Sequence, residues 1–248
     1  MQVRYDLHIH SALSPCGDAD MTPNNIVNMA MICGLDMIAV SDHNTTGNVE
    51  AVMQVGKESG VTVVPAMELE TSEEIHVLCL FPNYEAARSF DMEQVMPSLP
   101  PLKNNPKIFG DQLLMNSEDG IVGEEPRYLI NATGISLDGL AELVDSYGGV
   151  AVPAHIDKTT KSLVGNFGMV GDYMGFRSFE LSRNLQESFL VATPGLGHRP
   201  YRYIHDSDAH YLQDIGEHSG DNLLELSENT ADCLIKYLKN EEYSYFKK

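Results

Sequence analysis

Short apolar runs of strand length recur along the chain, and most of them lead into a histidine or an acidic residue. Helical patterns separate several of these runs, and such alternation is typical of a mostly parallel sheet wrapped by helices. In a barrel of parallel strands the carboxyl ends meet on one face, where such folds place their active sites. The sequence therefore predicts an α/β fold with one polar, functional face. The runs are residues 3–8, 37–40, 61–66, 75–81, 149–154, 178–181 and 203–204.

The residues at these strand ends are the types that bind divalent cations. Imidazole nitrogens suit zinc, iron and manganese, and carboxylates favour harder or mixed sites. A single buried histidine is more often a hydrogen-bonded core residue, but that explanation becomes poor when several converge from independent strand ends. The candidates are His8, His10, Asp42, His43, Glu68, His155, Glu180, Asp208 and His210.

His76 differs from the other candidates because it begins a strand. The segment 71–75, which separates it from the preceding strand, is too short for a crossover helix, so the two strands are predicted to form an antiparallel hairpin. A hairpin returns the start of its second strand to the rim where the first one ended. We therefore expect His76 to lie near Glu68.

Three helices are predicted from capping residues and apolar periodicity. Thr22 and Pro23 begin the first, which stops before Gly34, and Ser136 is the expected cap of the second. The apolar stripes of the second and third helices are Leu137, Leu140, Ala141 and Val144, and Ala231, Leu234, Ile235 and Leu238.

The length of 248 residues suits one large domain, and we predict a single domain over 1–248. Four prolines interrupt the segment 83–133, which is too long for an ordinary connection. We expect it to be an irregular insertion near the site or an arm at an interface.

The formal net charge of −20 argues against a surface that coats nucleic acid, so long nucleic acid is not an expected partner. A phosphate substrate is still possible, because bound cations supply local positive charge. No apolar run reaches membrane-spanning length and no secretory signal is present, so no membrane partner is expected and the cytoplasm is the expected location. The four cysteines lack the spacing of a disulfide scaffold and are interpreted as reduced thiols.

The ordered set of motifs resembles the PHP (polymerase and histidinol phosphatase) family of metal-dependent phosphoesterases, and the motifs cover nearly the whole chain. The resemblance implies a distorted seven-stranded (β/α) TIM-like barrel with a trinuclear site. The motifs are HIHSALSPCGDADMTP, SDHN, the Glu of PAMELE, the His of IHVLCLF, AVPAH and SDAH.

The resemblance also implies a role for each matching residue. His8, His10, Glu68 and Asp208 would hold one ion, with Glu68 bridging to a second ion that His76 and His155 complete. His43 and His210, with one residue from the loop after His10, would hold a third. Asp42 and Glu180 would orient ligand imidazoles. The cofactors implied are two or three ions of zinc, manganese or iron, and a metal-bound water held by Glu68, His43 and Asp208 is the expected nucleophile.

The loop ligand is where this sequence departs from the commonest family form. Many members place an Asp or His eight residues after the first histidine, and that position here is Cys16. Alignment on the downstream Thr22-Pro23 nominates Asp18 instead. Asp18 is slightly favoured because a carboxylate matches the rest of the site, whereas Cys16 would favour zinc or iron.

Several basic residues follow the strands that carry candidate ligands, and a phosphate needs such side chains. Arg183 and Arg199 are the preferred candidates. The others are Lys158, Lys161 and Arg202, with His198 and His205.

The predicted activity is hydrolysis of a small phosphorylated metabolite, a nucleotide or a short oligonucleotide. The first alternative is a metal-dependent amidohydrolase, which also uses a His-x-His pair. It is disfavoured because no suitable lysine follows a mid-chain strand, and because SDHN and the Glu68/His76 pair fit a phosphoesterase better. The second alternative is a non-catalytic metal-binding or scaffolding protein of the same fold. The sequence does not determine the oligomeric state.

Overall fold

Ten strands are assigned in the computed structural model, which describes residues 1–182, 187–197, 199–216 and 222–240. Within these residues, six strands form one sheet in the order β10-β1-β2-β3-β4-β7, and β5–β6 and β8–β9 form two separate pairs. The strands are β1 (Gln2–Ile9), β2 (Met37–Val40), β3 (Thr62–Glu70), β4 (His76–Leu80), β5 (Leu113–Met115), β6 (Ile121–Glu124), β7 (Val150–Pro153), β8 (Ser178–Leu181), β9 (Arg202–His205) and β10 (Leu223–Glu225).

Strands β1, β2 and β3 run parallel, as the sequence predicts, and β10 pairs antiparallel with β1 at the edge of the sheet. β4 then returns antiparallel to β3, with Glu70 opposite His76 and Glu68 opposite Leu78. The predicted hairpin is therefore present, and it brings His76 back to the rim where β3 ends. β7 is antiparallel to β4, so its carboxyl end lies at that rim as well.

The predicted ring of seven strands is not confirmed, because the parallel pair β8–β9 is not part of the six-stranded sheet in the described residues. Isolated backbone contacts link β8 and the segment that follows β9 to the sheet. The backbone N–H of Ile156 donates to the carbonyl of Glu180 at 3.0 Å, and Ala209 forms a parallel bridge with Ile9. The observed architecture is an α/β fold with a curled half-barrel sheet.

The helices connect and cover these strands. They are α1 (Pro23–Ile32), α2 (Val49–Ser59), α3 (Tyr84–Phe90), α4 (Met96–Ser98), α5 (Pro106–Phe109), α6 (Leu140–Ser146), α7 (Leu163–Phe167), α8 (Glu187–Ala192) and α9 (Ala231–Lys239), with a π-helical turn at Asp91–Val95 and short 3₁₀ turns at Asp172–Met174 and Leu212–Asp214. The cap of α1 at Thr22 and the apolar stripe of α9 are confirmed. No helix in the described part of the chain is long and apolar enough to cross a membrane.

The predicted start of α6 at Ser136 is wrong. Glu73 holds this segment instead, since its carboxylate accepts from the Ser136 hydroxyl at 2.7 Å and from the backbone N–H of Leu137 at 2.9 Å. Gly139 then takes a left-handed conformation (φ 77°), and the helix begins at Leu140. The Ser136 oxygen still accepts from the backbone N–H of Asp138 at 3.2 Å, but the chain enters the helix only after the turn at Gly139.

The segment 83–133 contains several short elements and packs beside the loop that follows β1. The backbone N–H of Leu113 donates to the carbonyl of Ala12 at 2.9 Å. The side-chain amide of Asn44 donates to the carbonyls of Leu129 and Asn131 at 2.7 and 3.0 Å. The insertion thus lies against the segments that follow β1 and β2.

Three apolar clusters pack against the sheet. One joins residues of β1, β2, β3, β4 and β7 to the buried face of α9, the second joins β1, β2 and β3 to α1 and α2, and the third joins β3, β4 and β7 to α3, α6 and β8. Apolar residues cover both faces of the parallel strands, so the polar residues of these strands lie at the strand ends.

Candidate metal centre

Five imidazoles surround one buried carboxylate, that of Glu68, which is only 1% exposed. Oε1 lies 3.3 Å from Nε2 of His8, 2.8 Å from Nδ1 of His76 and 3.2 Å from Nε2 of His155. Oε2 lies 3.0 Å from Nδ1 of His43 and 3.5 Å from Nε2 of His10. The five imidazoles come from the ends of four strands, and the Glu68 carboxylate that they approach is carried by a fifth strand, β3.

Asp208 forms the second carboxylate of the cluster. Its Oδ1 lies 3.4 Å from Nε2 of His8 and 3.2 Å from Nε2 of His10. Its backbone carbonyl accepts from Nδ1 of His210 at 2.8 Å, and the ring of His210 stacks on that of His10 with centroids 4.4 Å apart. The two strands β1 and β9 thus deliver their candidate residues to one place.

Two members of the cluster have unusual backbone conformations. His155 has φ 31° and Asp208 has φ 52°, in the left-handed region that L residues with a Cβ rarely adopt. Such positions cost about 1–3 kcal/mol each and concentrate at functional sites. The turns after β7 and β9 therefore hold these two side chains at the expense of local stability.

Glu180 orients two candidate ligands at once. Nδ1 of His8 donates to its Oε1 at 2.9 Å, and the backbone N–H of His155 donates to its Oε2 at 2.8 Å. This geometry fixes the tautomer of His8 so that Nε2 faces Glu68 and Asp208.

Asp42 acts through a serine rather than on an imidazole directly. Its carboxylate accepts from the hydroxyls of Ser11 and Ser14 at 2.6 and 2.7 Å. The oxygen of Ser14 in turn lies 3.1 Å from Nδ1 of His10 and accepts from the backbone N–H of His43 at 3.2 Å. Sequence reasoning did not find Ser14, because a serine in a polar loop gives no distinguishing pattern.

Glu70 is a second residue that sequence reasoning missed. It is buried, with Oε2 3.5 Å from Nε2 of His76 and Oε1 2.5 Å from Nζ of Lys161. The available indication was its place two residues after Glu68 on the same strand, which puts both side chains on one face.

The loop after β1 places Cys16, and not Asp18, among the histidines. Ligand atoms of His10, Cys16, His43 and His210 all lie within 4.8 Å of one another. The Asp18 carboxylate instead accepts from the backbone N–H of Asp20 at 2.9 Å, within its own loop. The preference for Asp18 is therefore not supported, because the loop turns that carboxylate toward its own backbone.

The charges of the cluster shift the ionisation of its members in opposite directions. Burial opposes the charged forms of both Glu68 and His8, but His76, His8 and His43 hold the pKa of Glu68 well below its usual value. Glu180, Glu68 and Asp208 raise the pKa of His8 well above its usual value. Burial, together with His10, His76 and His210, lowers the pKa of His43 well below its usual value.

The residues present fit a group of divalent cations. Buried atoms in the cluster make no hydrogen bond within the described part of the chain, which is the situation of ligand atoms that face an ion. Their nitrogen and oxygen donors match zinc, manganese or iron. The atoms that also face another member of the cluster are Nε2 of His8, Nδ1 of His43 and Oε2 of Glu68.

The structure describes one of the two preferred phosphate-binding candidates, Arg199. Arg183 lies outside the described residues, as does His198. Arg199 precedes β9 instead of following it, and its guanidinium pairs with Asp172. Arg202 packs over the ring of Tyr237, 4.5 Å from its centroid.

Lys158 is the basic residue that lies beside the cluster. Its Nζ lies 2.5 Å from Oδ2 of Asp208, and its side chain is 41% exposed. It lines a cavity of about 410 Å³ together with His155, Glu180 and Asp208. A phosphate in this cavity would contact both the lysine and the cluster.

Residues 6–151 match the PHP domain family, and the chain belongs to it. The sequence prediction of a metal-dependent phosphoesterase of this family is therefore confirmed at the level of the class. The number and identity of the metal ions are not fixed by this match.

The chain is similar to proteins named for action on nucleic acid. It is 26% identical over 196 residues to a 5'-3' exoribonuclease from Haemophilus influenzae, covering 62% of this chain and 69% of the relative. Its fold matches the lesion-specific endonuclease Q from Pyrococcus furiosus (TM-score 0.68, 21% identity, 96% of this chain and 56% of that one). A similar match (TM-score 0.68, 19% identity, 96% and 57%) is an endonuclease Q complex with a 27-mer duplex carrying an abasic lesion at the active site. The chain thus spans little more than half of the endonuclease Q chains.

The expectation that long nucleic acid is not a partner is wrong, since the chain is similar to a protein named as an exoribonuclease and shares its fold with a protein in complex with a 27-mer duplex. The net charge of −20 describes the whole surface. Binding at a metal-lined cleft depends on the local potential, which bound cations and residues such as Lys158 determine.

Proposed function

We propose that this chain hydrolyses phosphodiester bonds of nucleic acid, using two or three divalent cations held around Glu68. The observation that carries the proposal is the approach of five imidazoles to one buried carboxylate, at 2.8 to 3.5 Å. Without cations, so many buried donors and acceptors would be only partly paired, which is costly.

The proposed ligands fall into three overlapping groups. His8, His10, Glu68 and Asp208 form one, and Glu68, His76 and His155 form the next. His43 and His210 belong to the third, at the side of the cluster where the loop after β1 approaches. When bound, zinc, manganese or iron ions in such a site lower the pKa of a water and neutralise phosphate oxygens.

The protein's own side chains supply orientation and charge around these ions. Glu180 and Ser14 hold the His8 and His10 imidazoles in one tautomer, so that their Nε2 atoms face inward. Lys158 is free to turn from Asp208 to a phosphate oxygen once that carboxylate faces a cation. The cavity beside it, of about 410 Å³, would accommodate the scissile phosphate.

The preference for nucleic acid over a small phosphorylated metabolite comes from the relatives. The Haemophilus exoribonuclease matches over most of this chain, and the fold of the endonuclease Q chains covers nearly all of it. A nucleotide or a short oligonucleotide would use the same phosphate position.

The test is an activity panel on the purified chain loaded in turn with manganese, zinc or iron(II). Substrates are 5'-phosphorylated RNA and DNA oligonucleotides, single-stranded and duplex, with an aryl phosphate and an anilide amide for comparison. We expect cleavage of the oligonucleotides that exceeds hydrolysis of the aryl phosphate, with no release from the amide.

Glu68→Gln is the matched inactive variant, since it keeps the shape of the side chain but removes the charge at the centre. Its folding is checked by circular dichroism. Arg199→Ala, at a charge pair away from the cluster, should retain full activity. Hydrolysis of the amide alone would establish the amidohydrolase alternative, and no hydrolysis by any metal-loaded form would support a non-catalytic protein.

A further inference from the structure

We propose that Cys16 binds one of the divalent cations through its thiolate, together with His43 and His210, so that this side of the centre selects zinc or iron(II). The inference deepens the proposed function by assigning a sulfur ligand and a metal preference to one part of the centre. The remaining part, around Glu68, keeps nitrogen and oxygen ligands only.

The four side chains concerned come from four separate segments of the chain. His10 follows β1, Cys16 lies in the next loop, His43 follows β2 and His210 follows β9. Their ligand atoms lie within 4.8 Å of one another, and the ring of His10 lies 4.6 Å from that of His43 and 4.4 Å from that of His210. Imidazole nitrogens together with a thiolate are donor types that zinc prefers, and His10 lies beside this group.

The backbone of the loop fixes where the thiol lies. The N–H of Gly17 donates to the carbonyl of Ser14 at 2.8 Å, and the N–H of Asp18 donates to the carbonyl of His210 at 2.9 Å. The second bond ties the residues flanking Cys16 directly to the segment that carries His210. The loop backbone therefore holds Cys16 close to the segment that carries His210.

Gly17 is required for this close turn. A Cβ atom at residue 17 would lie 2.5 Å from the carbonyl oxygen of Ser11, which is closer than such atoms approach. The tight turn therefore makes it difficult for a neighbouring residue to take the place of Cys16 as the side chain that faces the histidines. Asp18, the alternative ligand, directs its carboxylate to the N–H of Asp20.

The nature of the donor atom sets the metal preference. Thiolate is a soft ligand that favours zinc and iron over manganese and magnesium, whereas carboxylates favour the harder ions. Because the group around Cys16 includes a sulfur donor, whereas the groups around Glu68 and Asp208 offer nitrogen and oxygen donors, the proposed ions would differ in the softness of their ligands. We therefore expect mixed occupancy when the protein is offered zinc and manganese together, with zinc retained at the Cys16 side.

The experiment is titration of the metal-free full chain with cobalt(II), followed by absorption spectroscopy. A thiolate bound to cobalt gives a ligand-to-metal charge-transfer band in the near ultraviolet, which nitrogen and oxygen ligands do not give. We expect this band in the wild-type chain and in Cys233→Ser, which removes a thiol distant in the fold. We expect the band to be lost in Cys16→Ser.

Two further variants separate the loop ligands. Cys16→Asp should bind cobalt without the band and should shift the preference of the site toward manganese, measured by competition with zinc. Asp18→Asn should retain both the band and the number of bound ions. X-ray absorption of the zinc-loaded wild type should show a sulfur neighbour at about 2.3 Å.

A band that persists in Cys16→Ser, or a wild-type chain without a band or a sulfur neighbour, would overturn the proposal. So would loss of a bound ion in Asp18→Asn with full binding in Cys16→Ser. None of these readouts depends on activity. A sulfur-ligated ion in a chain that cleaves no phosphodiester would contradict the proposed function but leave this assignment intact.

Discussion

Glu180 shows how a single residue can position two candidate metal ligands. Its two oxygens accept from the imidazole of His8 and from the backbone of His155, so one carboxylate positions two segments. The sequence showed an acidic residue at the end of a strand. It could not show that both oxygens are used.

We predict that Glu180→Gln weakens divalent metal binding by about 10- to 100-fold, as is usual for residues that orient metal ligands. A glutamine has one acceptor oxygen in place of two, and its amide nitrogen cannot accept from Nδ1 of His8. Isothermal titration with manganese measures the change, and circular dichroism checks the fold. Unchanged affinity would show that His8 is oriented without Glu180.

We predict that substitution of Lys158 weakens the binding of the substrate phosphate and leaves the metal content unchanged. Lys158→Ala should lower kcat/KM for a phosphodiester about 10- to 100-fold, the range expected for a hydrogen bond to a charged group. Lys158→Arg should recover part of this loss, because a guanidinium also binds phosphate. Elemental analysis provides the control. A loss of metal in Lys158→Ala equal to the loss of activity would contradict a direct role in phosphate binding.

At the scale of secondary-structure elements, Asn44 joins three parts of the chain. It follows β2 with φ 53°, accepts from the backbone N–H of Glu70 in β3 at 2.8 Å, and donates to two carbonyls of the insertion. The insertion is thereby fixed to the rim of the sheet. Short sequence motifs do not reveal such a connection, since its partners are more than 20 residues away.

We predict that Asn44→Ala lowers the free energy of unfolding by about 3 kcal/mol, because it leaves buried backbone groups without partners and keeps the left-handed conformation. Asn44→Gly should be destabilised less, since glycine adopts that conformation without strain. Urea unfolding of the metal-free protein measures both. Equal stability of Asn44→Ala and the wild type would mean that water replaces the lost hydrogen bonds.

The helices show where element prediction works and where it fails. Thr22 and Thr230 cap their helices as local sequence predicts, because cap and helix lie within one turn. Ser136 also accepts locally, from the backbone N–H of Asp138, but Glu73, 63 positions earlier in the chain, accepts from its hydroxyl and from the N–H of Leu137. The local capping rule therefore predicts the contact of Ser136 but not the residue at which the helix begins.

At the scale of the whole molecule, the cluster links folding to metal binding. The residues of the cluster come from segments spread along the chain, from His8 to His210. Ions that bind there therefore stabilise the folded chain and not the unfolded one. A chain with a net charge of −20 also gains from bound positive charge.

We predict that saturating manganese or zinc raises the free energy of unfolding by about 3 kcal/mol at a free ion concentration of about one hundred times Kd. Thermal unfolding with and without a chelator measures this effect. In Glu68→Gln the increase should be much smaller, because the central ligand has lost its charge. An equal increase in both proteins would place the stabilising ions elsewhere.

The sequence by itself determined the class of fold, the hairpin that returns His76 to Glu68, and the residue types around the metal centre, because each depends on local periodicity or on motif order. The tertiary structure decided the rest: the position of Cys16 among the histidines, the hydrogen bonds of Ser14, the place of Lys158, and the separation of β8–β9 from the main sheet. These features depend on which distant atoms a side chain meets, and a carboxylate or thiol in a loop can turn either way until the backbone around it is fixed. Net charge misled in the same way, since it sums over a surface, whereas binding depends on the potential at one cleft.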